Sequence, residues 1–184
     1  DISIEKGYIV AKTENGLIGS NIVFDKISVG ATETAIMSAS LAKGRTKIFN
    51  AAIEPEIIQL CNFLKNAGVN IYGVGESIIE IEGTEGELLN FTDECVISDR
   101  IEAGSYLCLG IANDIELKVK NINCDDLLPL LNVFNKMEAK YEVGDNYIKT
   151  LKRESELKPV NIVTGPHPSF PTDMQAQVMA MCLN

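Results

Sequence analysis

The sequence predicts an α/β (α+β) fold assembled from repeated strand–helix–strand–helix–hairpin units. Three observations carry this. Apolar residues make up 46% of the 184 positions and charged residues 23%, ordinary values for a chain that buries a core. An internal repeat of about 70 residues runs through the chain. Within each copy, helical and strand-like periodicities alternate, which implies helices covering a sheet.

The first copy starts at Asp25-Lys-Ile-Ser-Val-Gly30-Ala, where a strand should hand over to a helix beginning near Ala31. An apolar segment over 31–42 follows, then a short strand-like stretch ending at Asn50. Ile57, Leu60, Cys61 and Leu64 recur at the spacing of one helical face. Pro55 and Glu56 suit that helix's first turn, and Gly68 suits its stop. Tyr72-Gly-Val-Gly75 leads into Ser77-Ile-Ile-Glu-Ile-Glu, which reads as a turn and a strand.

The second copy repeats this order. Asp99-Arg-Ile-Glu-Ala-Gly104-Ser aligns with Asp25–Ala31, and 105–112 with 31–42. Asn121 answers Asn50, Leu131 and Phe134 answer Leu60 and Phe63, and Tyr141–Ile148 answers Tyr72–Ile79. A third copy is expected to open at Val160-Asn-Ile-Val and to break off in a helix over Asp173–Asn184. The junction between the first two copies falls near Ile97-Ser98, which divides the chain into domains 1–97 and 98–184.

A net charge of −10 argues against a nucleic-acid binder, which needs a basic surface. No apolar run approaches the roughly 20 residues that span a bilayer, so no membrane partner is expected. The start lacks the layout of a signal peptide, and without an initiator Met position 1 is not expected to be a natural start. The five cysteines (61, 95, 108, 124, 182) include no CxxC pair, so neither a disulfide framework nor a zinc site is expected. Cys61 and Cys108 fall in apolar patterns and read as buried, inert thiols in a reducing, cytoplasmic setting.

Two segments could carry chemistry. Lys26, Ile27, Ser28, Val29 and Gly30 lie where a helix should start, and a helix N-terminus attracts phosphate. Lys26 brings a point charge, Ser28 a hydroxyl, and Gly30 room for close approach. The same pattern is also that of a capped helix beside a solvated lysine. The second segment is Pro166-His-Pro-Ser-Phe-Pro171-Thr172-Asp173-Met-Gln-Ala-Gln177. There Asp173 is either a general base aimed into a cleft or, with Thr172, a helix N-cap. His167 is the only histidine, and with no second histidine and no Ser or Cys at a recognisable spacing neither a triad nor a histidine-based metal site is expected. Glu54 and Glu56 read as residues favouring a helix dipole rather than as a catalytic pair. Gly73-Val-Gly75 lacks the spacing of a phosphate loop.

Pro166-His-Pro168, Phe170–Gln177, Asp25–Ala31, Glu54-Pro-Glu-Ile57 and Ser98-Asp-Arg-Ile-Glu102 together resemble the UDP-N-acetylglucosamine enolpyruvyl transferase family, in order and in spacing. The resemblance covers essentially the whole chain. It implies a two-lobed enzyme whose lobes are inside-out α/β barrels (prisms) of repeated β-α-β-α-β-β units, with substrate in the interlobe cleft. Residues 1–97 would then end the first, catalytic lobe and 98–184 would start the second, cut within a unit. The implied reaction moves enolpyruvyl from phosphoenolpyruvate to the 3′-hydroxyl of UDP-N-acetylglucosamine, the first committed step of peptidoglycan synthesis. The implied substrate contacts are Lys26, Ile27, Ser28, Val29 and Gly30, with Asp173 as the sugar contact and base. No cofactor or metal is implied.

The family's reactive-cysteine loop matches nothing here, and its N-terminal Lys-Asn pair and several anion-binding arginines also lie outside the chain. The expected partner is the rest of the same enzyme chain, and the isolated polypeptide is expected to be inactive. The rival readings are the sibling shikimate-pathway transferase and a non-catalytic sugar-nucleotide-binding or structural fragment. The Thr-Asp-Met-Gln-Ala-Gln run argues for the sugar-nucleotide branch.

Overall fold

The structure is a computed structural model that describes residues 2–91 and 93–183. The chain divides into two compact units, residues 1–95 and 96–184. Each has its own apolar core.

Unit 1 begins with a hairpin of β1 (Ile2–Glu5) and β2 (Tyr8–Ala11), in which Glu5 lies opposite Tyr8. Its turn residues Lys6 and Gly7 both have positive φ, 52° and 85°, the turn type whose twist suits paired strands. Then follow β3 (Asn21–Val23), α1 (Val29–Ser40), β4 (Arg45–Phe49), α2 (Pro55–Asn66), β5 (Asn70–Tyr72) and β6 (Ile78–Glu82). The four strands from β3 onward form one sheet in the order β3-β4-β6-β5. β3 and β4 are parallel, so a crossover must join them, and α1 supplies it. The other pairings are antiparallel.

Burial alternates along β4 and β6, as it must when one face of a sheet meets helices. Thr46 pairs with Ile81 and Ile48 with Ile79, and all four are buried. Each of those isoleucines contributes about 1.5–3 kcal/mol by leaving water. α2 lays Ile57, Cys61 and Leu64 on the core, with Leu60 half-buried at its edge, as the helical spacing predicts. Pro55 is its first residue, and Gly68 follows its end with φ of 105°.

Unit 2 contains α3 (Arg100–Ala112), β7 (Lys118–Lys120), a 3-10 turn Cys124–Leu127 leading into α4 (Leu128–Met137), β8 (Tyr141–Val143) and β9 (Tyr147–Thr150). The sheet order is β7-β9-β8, the same as β4-β6-β5. A second 3-10 turn, Thr172–Met174, runs into α5 (Gln175–Met181). α5 packs on α3 within the unit-2 core.

The repeat is physical, but its registers differ from those read in sequence. Ser28 and Asp99 are the N-caps of α1 and α3, so Ser28 corresponds to Asp99, three residues from the Asp25–Asp99 alignment. With that shift Thr32, Ile36, Ala39 and Ser40 correspond to Ala103, Leu107, Gly110 and Ile111, all buried. α1 accordingly begins at Val29, two residues before Ala31. In the second helices Cys61 and Leu64 correspond to Leu131 and Phe134, one position from the expected pairing. The hydrogen bonds Val69 N to Leu64 O and Ala139 N to Phe134 O, 3.0 and 2.9 Å, close the two helices alike. Ile71, not Tyr72, is the partner of Tyr141: each pairs across its hairpin, with Ile81 and Thr150 respectively. Ile79 and Ile148 do correspond, so the second hairpin's turn is one residue shorter. Shared burial decides these registers, while scattered identities do not.

Asn50 and Asn121 both follow the strand before the second helix, and both sit in the left-handed region at φ of 58° and 59°. Asparagine tolerates that conformation at low cost. The expected opening strand of a third copy is absent: residues 160–163 form no strand, and a lone bridge joins Thr164 to Phe170. The final helix is also shorter than 173–184, and Asn184 lies outside the described residues.

Candidate functional site

Lys26 lies in the bend between β3 and α1, with its side chain exposed. Ser28 caps α1: its Oγ accepts the Ala31 N–H at 3.3 Å. The capped-helix reading of this segment is therefore realised. It does not exclude a ligand, because the N–H groups of Val29 and Gly30 belong to a first turn that has no intrahelical acceptors. Ile27 is partly exposed, and Val29 packs at the edge of the unit-1 core.

Gly30 is informative. A Cβ built there would meet nothing within 4 Å, so no packing inside unit 1 requires glycine. A glycine inside a helix costs about 0.5–1 kcal/mol relative to alanine. That cost has no return within the unit, and it leaves the outer surface of the turn open.

Thr32, unmarked in the sequence reading, holds this corner in place. It is fully buried. Its Oγ1 donates to Ser28 O at 2.8 Å and accepts the Ala52 N–H at 3.0 Å. Asn50 Nδ2 donates to Phe24 O at 3.0 Å, so the loop after β4 is also tied to the end of β3. A Thr within the apolar helical pattern over 31–42 is a signal for a buried hydroxyl, but it does not name Ala52 as the partner.

In unit 2, Asp173 is the middle residue of the 3-10 turn Thr172–Met174, and its carboxylate is exposed. Neither Thr172 nor Asp173 is an N-cap, contrary to the structural reading offered above. Pro171 precedes the 3-10 turn and Met174 precedes α5, and neither end has a side-chain cap bond. The extended Pro171 backbone starts the helix one residue too early for Thr172 to cap it. Asp173 is therefore not committed to local capping.

The turn before it is braced by Gly165 N to Phe170 O, 2.9 Å, and Ser169 N to Pro166 O, 2.8 Å. Asp126, from the 3-10 turn leading to α4, interacts with Asn123, Arg100 and His167. Burial pushes the Asp126 carboxyl above its ordinary range, while the Asn123 hydrogen bond and the Arg100 and His167 charges oppose this. Sequence reasoning gave His167 and Asp126 no role, because they are distant along the chain and match no motif. Cys61 and Cys108 are buried, and burial raises their thiols to about 11 and about 12. Their burial is what their apolar settings predict. No described helix is long and apolar enough to cross a membrane.

The fold is that of the enolpyruvyl transferases. A profile of the EPSP synthase family (3-phosphoshikimate 1-carboxyvinyltransferase) matches residues 1–183, and the chain belongs to that family. It is 46% identical over 181 residues to the UDP-N-acetylglucosamine 1-carboxyvinyltransferase of Campylobacter fetus, covering 98% of this chain and 43% of that protein. To the protein of the same name from Helicobacter hepaticus it is 45% identical, again over 98% of this chain and 43% of the relative. The chain thus spans under half the length of these relatives. Among solved structures, the enolpyruvyl transferase NikO from Streptomyces tendae has the same fold, with a TM-score of 0.75 at 23% identity. That match covers 83% of this chain and 36% of NikO.

Proposed function

We propose that this chain is part of an enzyme that transfers enolpyruvyl from phosphoenolpyruvate to the 3′-hydroxyl of UDP-N-acetylglucosamine, releasing phosphate. The observation that carries this is the similarity, along nearly all of this chain, to relatives named UDP-N-acetylglucosamine 1-carboxyvinyltransferase. The first committed step of peptidoglycan synthesis and a cytoplasmic location follow from the same reading. So does a division of the chain into the end of a first, catalytic lobe (1–97) and the start of a second (98–184). The sibling shikimate-pathway activity is the second reading, favoured only by the family's own description.

In this reading Lys26, Ile27, Ser28, Val29 and Gly30 contact the sugar nucleotide around its diphosphate. The open surface at Gly30, the first-turn N–H groups and the exposed Lys26 suit an anion brought close to the backbone. Asp173 takes the proton from the sugar's 3′-hydroxyl as that oxygen attacks the enol carbon. An exposed carboxylate free of capping duties suits that task.

The test is Asp173→Asn in an enzyme of the relatives' full length. Phosphate release dependent on both substrates should fall by about 10²–10⁴-fold, the usual worth of a positioned general base. Turnover within a factor of three of the parent refutes Asp173 as base. The 184-residue chain alone should release no phosphate above background, and measurable turnover would overturn its reading as an incomplete catalyst.

A further inference from the structure

Beneath Asp173, unit 2 accepts two local costs that its own stability does not call for. The first is Gly104, inside α3. A Cβ there would lie 2.8 Å from Met174 Cε, 3.0 Å from Met174 Sδ and 3.1 Å from Leu130 Cδ2. The glycine makes a notch, and Met174 fills it with only 2% of its surface exposed. The second cost is at Gln177. Its Nε2 donates to Ser105 Oγ at 3.0 Å, and that hydroxyl donates in turn to Ile101 O at 2.7 Å. The other end of the amide, Oε1, is shielded from solvent and has no hydrogen-bond partner among the described residues. A buried acceptor left unsatisfied costs about 1–3 kcal/mol. An apolar side chain at 177 would avoid that cost but would lose the polar tie to α3.

Both features act on the same short turn. In a 3-10 turn successive side chains point about 120° apart, so the direction of Met174 sets the direction of Asp173. Met174 pressed into the Gly104 notch fixes the rotation of the turn. The Gln177–Ser105 bond, one helical turn further on, fixes the slide of α5 along α3. Apolar packing alone tolerates a sliding helix, whereas a hydrogen bond has one register.

We propose that Gly104, Ser105, Met174 and Gln177 are positioning residues that hold Asp173 at the angle and height its proton transfer needs. This role rests on the reading of Asp173 as the base. A displacement near 1 Å at a reacting group can cost about 100-fold in rate, so a seat of this kind has a measurable effect.

The experiment uses the full-length enzyme and four variants measured for kcat and for KM of each substrate, with folding followed by circular dichroism. Gly104→Val wedges Met174 out of its notch, and Gly104→Val/Met174→Ala gives the wedge room. Gln177→Met removes the tie at nearly constant shape, and Asp173→Asn serves as the reference. The expected result is a fall in kcat of about tenfold or more in Gly104→Val and Gln177→Met, with KM for phosphoenolpyruvate within about twofold. The double variant should recover most of the lost kcat. Folded single variants that turn over within twofold of the parent overturn the seat, and so does a double variant as slow as Gly104→Val. If Gly104→Val does not fold, Gln177→Met decides alone by the same criterion. Full turnover in Asp173→Asn refutes the base reading itself, whereas loss there with unaffected Gly104→Val and Gln177→Met refutes only the seat.

Discussion

Thr32→Val is the sharpest test of how unit 1 holds its helix corner. The replacement is nearly isosteric and exchanges a hydroxyl for a methyl at a fully buried site. Two hydrogen bonds disappear. The one to Ser28 O is cheap to lose, because that carbonyl keeps the Thr32 N–H at 3.0 Å. The other is not, because Thr32 Oγ1 is the acceptor that satisfies the Ala52 N–H, and Ala52 is itself fully buried. An orphaned buried donor costs about 1–3 kcal/mol, partly offset by the greater apolarity of valine. Thr32→Ser keeps the hydroxyl and loses one methyl, for about 1 kcal/mol. A chain of two units need not unfold in one step, so a local readout is better than a single melting curve. Native-state hydrogen exchange at Ala52 supplies it. Thr32→Val should speed that exchange by about 10–100-fold and Thr32→Ser should leave it far less changed, since each factor of ten is about 1.4 kcal/mol. Equal protection of Ala52 in parent and Thr32→Val would refute the argument.

The other predictions are briefer. Gly110→Ala should destabilise unit 2 by about 1–3 kcal/mol in urea unfolding, because the new Cβ would fall 2.4 Å from Thr150 Oγ1. That hydroxyl cannot swing away without breaking its bonds to Ile115 O and Leu117 N, 2.7 and 3.0 Å. An unchanged midpoint would show that the strand yields. Burial raises Cys61 and Cys108 from 9.0 to about 11 and about 12, so the folded chain holds these protons more tightly than the unfolded one. Their contribution is complete below pH 9.0 and is lost as pH rises through 11 and 12. Urea midpoints should decline over that alkaline window, and less steeply in Cys108→Ala. At neutral pH a thiol reagent should label the exposed Cys95 and Cys182 first, leaving Cys61 and Cys108 until the chain unfolds. Early loss of Cys108 would contradict its burial.

Sequence alone determined the parts that depend on spacing along the chain. The Ile57, Cys61, Leu64 face of α2 was legible from helical periodicity, and Pro55 and Gly68 marked its ends because their backbone constraints are local. Asn50 and Asn121 marked matching strand ends in the two copies, and the structure adds that both sit in the left-handed region. The repeat was visible, and so were the Lys26–Gly30 and Asp173 segments. Tertiary structure decided what depends on contacts across the chain. It set the repeat register, because burial against a shared core, not residue identity, says which positions correspond. It showed that Ser28 caps its helix while Thr172 and Asp173 do not cap theirs, a difference fixed by backbone angles at Pro171. Thr32 meeting Ala52, Gly104 receiving Met174, and Gln177 reaching Ser105 join residues between 20 and 72 positions apart. No local pattern encodes such a meeting. It exists only once the helices have packed.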